Sequence, residues 1–506
     1  MEVINSFMAW IFKNRLKQIE AFKRDPFKTQ KAIFEELIEA GKKTEFGKSN
    51  QFSSIKTYQD FARLVPIQDY ESLKPFIEKT MEGHQNVLWN SEIEWFAKSS
   101  GTTSDRSKYI PVSTESLEEC HYKGGKDLVS VYVANNPSTK MFSGKNLAIG
   151  GSLEGNPKLP KSNARTGDIS AVIMANLPLW AQIIRTPSLE VALMSEWEAK
   201  IEKMARETMN ENVVTITGVP TWTIVLLQKI IEIKKAKHIL EVWPNLEVFF
   251  HGAVAFGPYR GVFNELIPSP KMRYMETYNA SEGFFGLQDQ TDSDELLLML
   301  DYGIFFEFIP MEEWEKEKPE VISLAEVEVD KNYALVITTN GGLWRYKIGD
   351  TIKFTSTSPH RFHISGRTKH FINAFGEEVI VENAEKAIQF AADQTHATIA
   401  NFTAAPVYFN STGAKGAHEW IIEFKTPPKD LSLFTKSLDS ALMDVNSDYQ
   451  AKRFNNITLN MPKVHVARQR LFYDWLKQKN KLGGQHKVPR LSNKRDFIEE
   501  LLHLNT

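Results

Sequence analysis

Between residues 90 and 300 short β-branched and aromatic runs alternate with a long helical stretch. Val213-Val214-Thr215-Ile216-Thr217 and Leu246-Glu247-Val248-Phe249-Phe250 have the length and residue types of strands, and Thr221 to Val242 between them reads as a helix. Two parallel strands need a crossover of about a dozen residues or more, which a helix supplies. Strand, helix, strand at this spacing therefore predicts a parallel α/β sheet. The texture then changes. Leu296 to Leu300, Ile304 to Ile309, Tyr333 to Thr339 and Thr351 to Thr355 follow one another as strands, which predicts a sheet or β-barrel-like segment joined to the α/β body.

Two further regions complete the expected layout. Phe7 to Lys43 reads as two helices, with Phe7, Trp10, Ile11, Leu16 and Ile19, then Ile33, Phe34, Leu37 and Ile38, at helical spacing, punctuated by Pro26 and Gly41. A boundary is expected near residue 365, at the polar run Ser365-Gly366-Arg367-Thr368-Lys369. Beyond it come a helix carrying Val379, Ala384, Ala387 and Ile388 and the alternating Trp420-Ile421-Ile422-Glu423-Phe424. A smaller α+β domain of about 140 residues fits this tail. The fold class is thus α/β: a large N-terminal α/β domain with an associated β-barrel-like sheet, then a smaller α+β C-terminal domain.

Bulk properties exclude several functions. The 506 residues carry a formal net charge of -2, with 42% hydrophobic and 25% charged residues. No strong basic field points to nucleic acid. Cys120 is the single cysteine, so there is no intrachain disulfide and no cysteine-based zinc site. At the N-terminus Glu2 precedes the apolar run, and Lys13, Arg15 and Lys17 follow it, the reverse of a secretory signal. The longest largely apolar stretch, Ala171 to Ile184, is broken by Pro178, and a membrane span needs about 20 apolar residues. A cytoplasmic protein with no membrane and no nucleic-acid partner is expected.

Phe96-Ala97-Lys98-Ser99-Ser100-Gly101-Thr102-Thr103-Ser104-Asp105-Arg106-Ser107-Lys108-Tyr109-Ile110-Pro111 offers hydroxyls, backbone amides, one glycine and then two cations. Such a segment can wrap polyphosphate oxygens, although it lacks the Gly-Lys-Ser/Thr ending of a P-loop. Alone it fits a polar surface loop equally well. Four segments follow in order: Tyr278-Asn279-Ala280-Ser281-Glu282-Gly283, Tyr346-Lys347-Ile348-Gly349-Asp350, Gly366-Arg367-Thr368 and Gly484-Gln485-His486-Lys487-Val488-Pro489-Arg490. Each is weak singly; the ordered set is far less expected by chance.

With these segments, and with Leu343-Trp344-Arg345 before Tyr346, the chain resembles the adenylate-forming superfamily of acyl-CoA synthetases, adenylation domains and luciferases. It is most similar to the Gretchen Hagen (auxin-responsive promoter) family of acyl acid amido synthetases. The resemblance implies a domain of residues 1–365 that binds ATP and the acyl acid, and a mobile cap of residues 366–506 that swings over the active site. It implies a ligase with two steps. ATP and a carboxylic acid give an acyl-adenylate and pyrophosphate, then an amino acid amine takes the acyl group and AMP leaves. ATP and Mg2+ are the implied cofactors, a carboxylic acid and an amino acid the small-molecule partners, and a monomer the expected state.

Roles carry over by position. Ser99, Ser100, Thr102 and Thr103 resemble the phosphate loop. Tyr278 resembles the aromatic beside adenine, Glu282 the carboxylate that works through magnesium, and Asp350 the acceptor of the ribose hydroxyls. Arg367 resembles the hinge arginine that contacts ribose, and Lys487 the mobile lysine that reaches the α-phosphate. His251 and His486 are candidate bases for the amine step. Trp222, His251 and Phe256, with Tyr259 close by, resemble the substrate pocket. Ser104 stands where many relatives have glycine, which lengthens the spacing to Lys108 and leaves its contact open.

Bland readings stand beside these. Tyr278 could be a core tyrosine, Asp350 a turn residue after Gly349, Glu282 a helix first-turn carboxylate, Lys487 one cation of a basic tail, and His251 a buried histidine. The competing functions are an acyl-CoA ligase using the same adenylate, and a non-catalytic nucleotide-binding relative.

Overall fold

A computed structural model of the chain describes residues 14–100, 107–154, 164–177, 179–254, 256–314, 316–368, 371–409, 415–453, 458–479 and 489–505. Its centre is a mixed sheet of 12 strands. One half is parallel and runs Arg185–Thr186, Lys145–Ala148, Val213–Gly218, Val248–Gly252, Arg273–Ala280. The other half is antiparallel and runs Gly283–Leu287, Leu296–Leu298, His360–Arg367, Tyr346–Thr357, Asn332–Thr339, Ile304–Pro310, Ile322–Ser323. The halves meet where Arg273–Ala280 turns into Gly283–Leu287, so the strand-dense segment joins the α/β body by backbone hydrogen bonds.

The first four residues of each of the parallel strands Val213–Gly218 and Val248–Gly252 are buried. Strands covered on both faces need continuous apolar runs, which is why these were readable. The helix between them is shorter than its sequence suggests. It spans Pro220–Lys234, because Lys235 takes a left-handed conformation (φ 51°) and ends it. Ile239 and Trp243 still face the core, from a short 3-10 turn at Ile239–Glu241. The strand expected at Thr351 begins instead at Tyr346, and Ser365–Arg367 belong to the strand His360–Arg367 rather than to a loop.

Phe7, Trp10 and Ile11 lie outside the described residues; from residue 14 on, two helices form with the break at Pro26 and the end at Gly41 that the punctuation implies. One runs through 14–24 and the next is Pro26–Gly41, with Pro26 in its first turn and the Asp25 side chain accepting from the Lys28 amide. Gln30 stitches this helix to the sheet. Its Nε2 donates to the carbonyls of Leu300 and Ile304, each at 2.9 Å, and its Oε1 accepts from the Phe306 amide at 2.9 Å. Gly41 closes the helix against the Trp344 ring, where an added Cβ would lie 2.6 Å from the indole. No helix among the described residues is long and apolar enough to cross a membrane.

C-terminal to residue 370 the chain forms a separate three-stranded sheet, Thr398–Val407, Ala417–Thr426 and Lys463–Ala467, packed by Val381–Thr395 and Leu431–Val445. Tyr408 and Phe409 pack against its core and against the core of the parallel half at once.

One buried ion pair ties the N-terminal segment around Ala62 and Val65 to the sheet. The Arg345 Nη2 donates to Glu307 Oε1 at 2.8 Å and its Nε to Oε2 at 3.0 Å, with both side chains almost without solvent. Nη1 donates to the carbonyls of Ala62 and Val65 at 3.0 and 2.7 Å. Removing one member leaves an uncompensated charge, whereas replacing both with apolar groups is often near neutral. Glu307→Gln is expected to lower the unfolding free energy by about 3 kcal/mol, and the Glu307→Leu/Arg345→Met double variant to recover most of it. Urea denaturation of the three proteins checks this.

Candidate active site

A cleft of about 2110 Å³ opens along the sheet and is lined from both ends of the chain. Its walls include Ser99, Trp222, His251, Phe256, Tyr278, Glu282, Asp350 and Arg367. All eight come from the sequence-predicted set, drawn from six separate segments. Ser100 ends the same strand as Ser99. Thr102, Thr103, His486 and Lys487 lie outside the described residues.

Ser99 and Ser100 lie at the end of a strand rather than in a loop. Trp95–Ser100 pairs antiparallel with Ser107–Val112, and Ser99 stands opposite Lys108. The Lys108 ammonium lies over the Tyr70 ring, 5.7 Å from its centroid, and its field opposes the burial that raises the Glu282 pKa.

Asp350 and Arg367 are paired residues of adjacent strands. Arg367 Nε lies 2.7 Å from Asp350 Oδ1, and the Tyr278 hydroxyl donates to Asp350 Oδ2. The other end of the guanidinium meets Glu378, from the C-terminal part of the chain. Gly349 takes a positive φ of 92° just before Asp350, and its carbonyl accepts from the Thr368 amide at 2.9 Å. Asp350 is therefore a strand residue, not a turn closer.

Tyr278 is nearly fully buried, with Phe285 4.8 Å away centroid to centroid. Burial and the Asp350 carboxylate push its hydroxyl well above the ordinary range, so it stays a donor. Glu282 sits in the tight turn between Ala280 and Gly283, not in a helix. Burial raises its carboxyl pKa and Asp350 adds to this, against Lys108 and Arg367.

The apolar end of the cleft is aromatic. His251 stacks on Phe256 at 4.0 Å with an interplanar angle of 19°. Burial, then Arg260, lowers its pKa to about 3, so it is a neutral ring and a poor base for an ammonium. Trp222 packs on Trp197 at 5.3 Å and carries the Lys452 ammonium 4.5 Å above its ring. Tyr259, beside the expected pocket, is a core residue: it is wholly buried and its hydroxyl donates to the Ala374 carbonyl.

Several cleft residues escaped the sequence reading. Lys200 is buried and donates to the carbonyls of Gly150 and Gly151 at 2.7 and 2.8 Å; burial lowers its pKa to about 8. Asp448 rises to about 6, mainly by burial, beside Lys452. Glu276 rises to about 7 by burial, helped by Asp294 and opposed by Arg260. Only Glu276 left a usable signal, since it alternates with Tyr278 along one strand.

The whole chain is similar to known proteins. Residues 15–272, 297–367 and 382–496 match the GH3 family N-terminal, central and C-terminal domains. The indole-3-acetic acid-amido synthetase GH3.3 of Arabidopsis thaliana is 21% identical over 94% of this chain and 91% of its own length. The 4-substituted benzoates-glutamate ligase GH3.12 of the same plant is 21% identical over 94% of each. Among solved structures, the AtGH3.15 acyl acid amido synthetase in complex with 2,4-DB superposes with a TM-score of 0.63 at 16% identity, covering 98% of this chain and 96% of that one. A 2-hydroxyisobutyryl-CoA ligase gives 0.55 at 13% identity, covering 94% and 92%. The fold is that of the adenylate-forming enzymes, a large N-terminal part with a smaller C-terminal one. Within that class, the chain belongs to the GH3 family.

The Glu276 carboxyl makes a stability prediction. Its folded pKa is raised, so folding favours the protonated form, and that contribution is complete below the unfolded pKa and lost as pH rises through about 7. Glu276→Gln is uncharged throughout. It is expected to be more stable than the parent at pH 8 by about 2 kcal/mol, with the gap closing near pH 4. Urea denaturation at the two pH values measures it.

Proposed function

We propose that this chain activates a carboxylic acid with ATP as an acyl-adenylate and transfers the acyl group to an amino acid amine, releasing AMP and pyrophosphate. The observation that carries this reading is the Tyr278–Asp350–Arg367 cluster, standing in one cleft wall with Glu282 and the Ser99 hairpin. Relatives across the chain are named as amido synthetases and an acid–glutamate ligase, which supports amide formation over a binding role.

The residues divide the work. Ser99, Ser100, Thr102 and Thr103 hold the phosphates. Asp350 accepts from the ribose hydroxyls, with Tyr278 and Arg367 fixing its two oxygens so that its remaining lone pairs point into the cleft. Tyr278 also flanks the adenine. Trp222, His251 and Phe256 receive the acyl group, and an aromatic wall suits an aromatic or branched hydrophobic acid. The acid is ionised at neutral pH and needs no base for the first step. Residues 1–365 form the adenylation domain and 366–506 the cap. The enzyme acts as a cytoplasmic monomer.

Glu282 fits magnesium carried in with ATP. Among the described residues no group of three or more metal-binding side chains occurs, and magnesium needs only one or two carboxylates when substrate phosphates supply the rest. When bound, it would offset the negative charge that builds on the departing pyrophosphate. Lys487 adds a point charge near the α-phosphate; Pro489, two residues on, lines the cleft.

The deciding experiment is acid-dependent ATP–pyrophosphate exchange across a panel of carboxylic acids, followed by addition of amino acids or coenzyme A and identification of the product. Exchange followed by an amide is expected. No exchange with any acid would favour a binding module, and a thioester without an amide would identify a coenzyme A ligase. Separately, Lys487→Ala should reduce exchange by roughly a hundredfold while AMP affinity, read by calorimetry, largely survives. An unaltered exchange rate would remove Lys487 from the site.

A further inference from the structure

Tyr274, Glu276 and Tyr278 alternate along the strand Arg273–Ala280 and so share one face of the sheet. Two residues of strand advance about 7 Å. Tyr278 holds Asp350 at one end of this row. At the other end the exposed Arg260 guanidinium lies over the rings of Tyr274 and Phe256, 5.5 and 4.9 Å from their centroids. Glu276 stands between them, and all line the cleft.

Neither charge is satisfied by the protein. Among the described residues Arg260 has no carboxylate within 4.0 Å, and the Glu276 carboxylate accepts no hydrogen bond. The groups that face Glu276 are few. Asp294 adds negative charge and Arg260 opposes it. His251 is its register partner on the neighbouring strand and is uncharged, and Gln288 meets only its backbone, accepting from the Glu276 amide and donating to the Glu276 carbonyl. The cleft thus offers a cation on a flat aromatic bed and, beside it, a carboxyl group with no partner.

A simple anion, whether phosphate or acyl carboxylate, uses only the cation. An α-amino acid, with an ammonium one carbon from a carboxylate, uses both. We propose that Arg260 and Glu276 form the acceptor subsite, Arg260 holding the α-carboxylate of the incoming amino acid and Glu276 receiving its α-ammonium and taking a proton from it. This rests on the adenylation reading. An ammonium N–H bond breaks and the proton moves to a Glu276 oxygen. The freed lone pair forms the C–N bond at the acyl carbon of the adenylate. The bond from that carbon to the phosphate oxygen breaks, and its electron pair leaves with AMP. The second nitrogen proton passes to water as the amide forms. A base poised near 7 suits an amine whose own pKa is about 7.7–8.0.

The test uses the full-length enzyme, L-amino acids and the corresponding L-amino acid amides, which lack the carboxylate. Arg260→Ala should raise the amino acid KM about tenfold more than the acid KM in exchange, and erase the preference for amino acids over their amides. Arg260→Lys should restore part of that preference. Glu276→Gln should lower amide formation about tenfold more than exchange, and flatten the rise in amide rate between about pH 6 and pH 8. A wild-type pH profile and amide rate in Glu276→Gln would overturn the proposal, as would an Arg260→Ala defect confined to the acid KM. No exchange by the parent enzyme with any acid would overturn the adenylation reading as well.

Discussion

The Arg345–Glu307 pair is the interaction on which the placement of the cleft depends. It lies in the antiparallel half of the sheet, with Arg345 immediately before the strand that carries Asp350. Its free guanidinium edge reaches the carbonyls of Ala62 and Val65, and the Tyr58 hydroxyl donates to Glu307 at 2.9 Å. Next to it, Trp344 donates to the Leu88 carbonyl and packs on Phe46, Phe52 and Trp89. One short segment therefore fastens the N-terminal helices to the sheet and fixes the start of the Asp350 strand. A buried charge is costly unless every donor is used, and here every face of the guanidinium has a partner.

From that anchor the site is built outward by hydrogen bonds rather than by burial alone. Asp350 receives Tyr278 from one strand and Arg367 from another, and Arg367 passes on to Glu378. The chain of charges thus runs from the parallel half of the sheet to the C-terminal part. Tyr259 makes a second link by its hydroxyl to Ala374. Arg367 and Glu378 themselves line the cleft, so the first of these ties stands in its wall.

Much of this was legible in the sequence because it rests on local pattern. Val213–Gly218 and Val248–Gly252 read as strands since double-sided burial demands apolar runs. The order of Ser99, Tyr278, Glu282, Asp350 and Arg367 was readable as a set, and the fold brings these residues to one cleft. What stayed hidden depends on distant partners. Lys200, Asp448 and Lys452 look like ordinary surface charges until folding buries them. Tyr259 and Phe256 are three residues apart, look alike and share one buried cluster, yet only Phe256 also reaches the cleft wall. The end of the helix at Lys234 was unreadable because a left-handed lysine has no compositional mark.

The Lys452–Trp222 contact has a bearing on how such a cleft could be remodelled. Trp222 belongs to the first helix after Val213–Gly218, and Lys452 to the helix Ser447–Arg453, some two hundred residues later. The aromatic wall is thus finished by a residue that another region of the chain contributes. A chimera that exchanges only the N-terminal portion would join one parent's indole to the other parent's ammonium. The two sides of this contact therefore have to be changed together if it is to be kept.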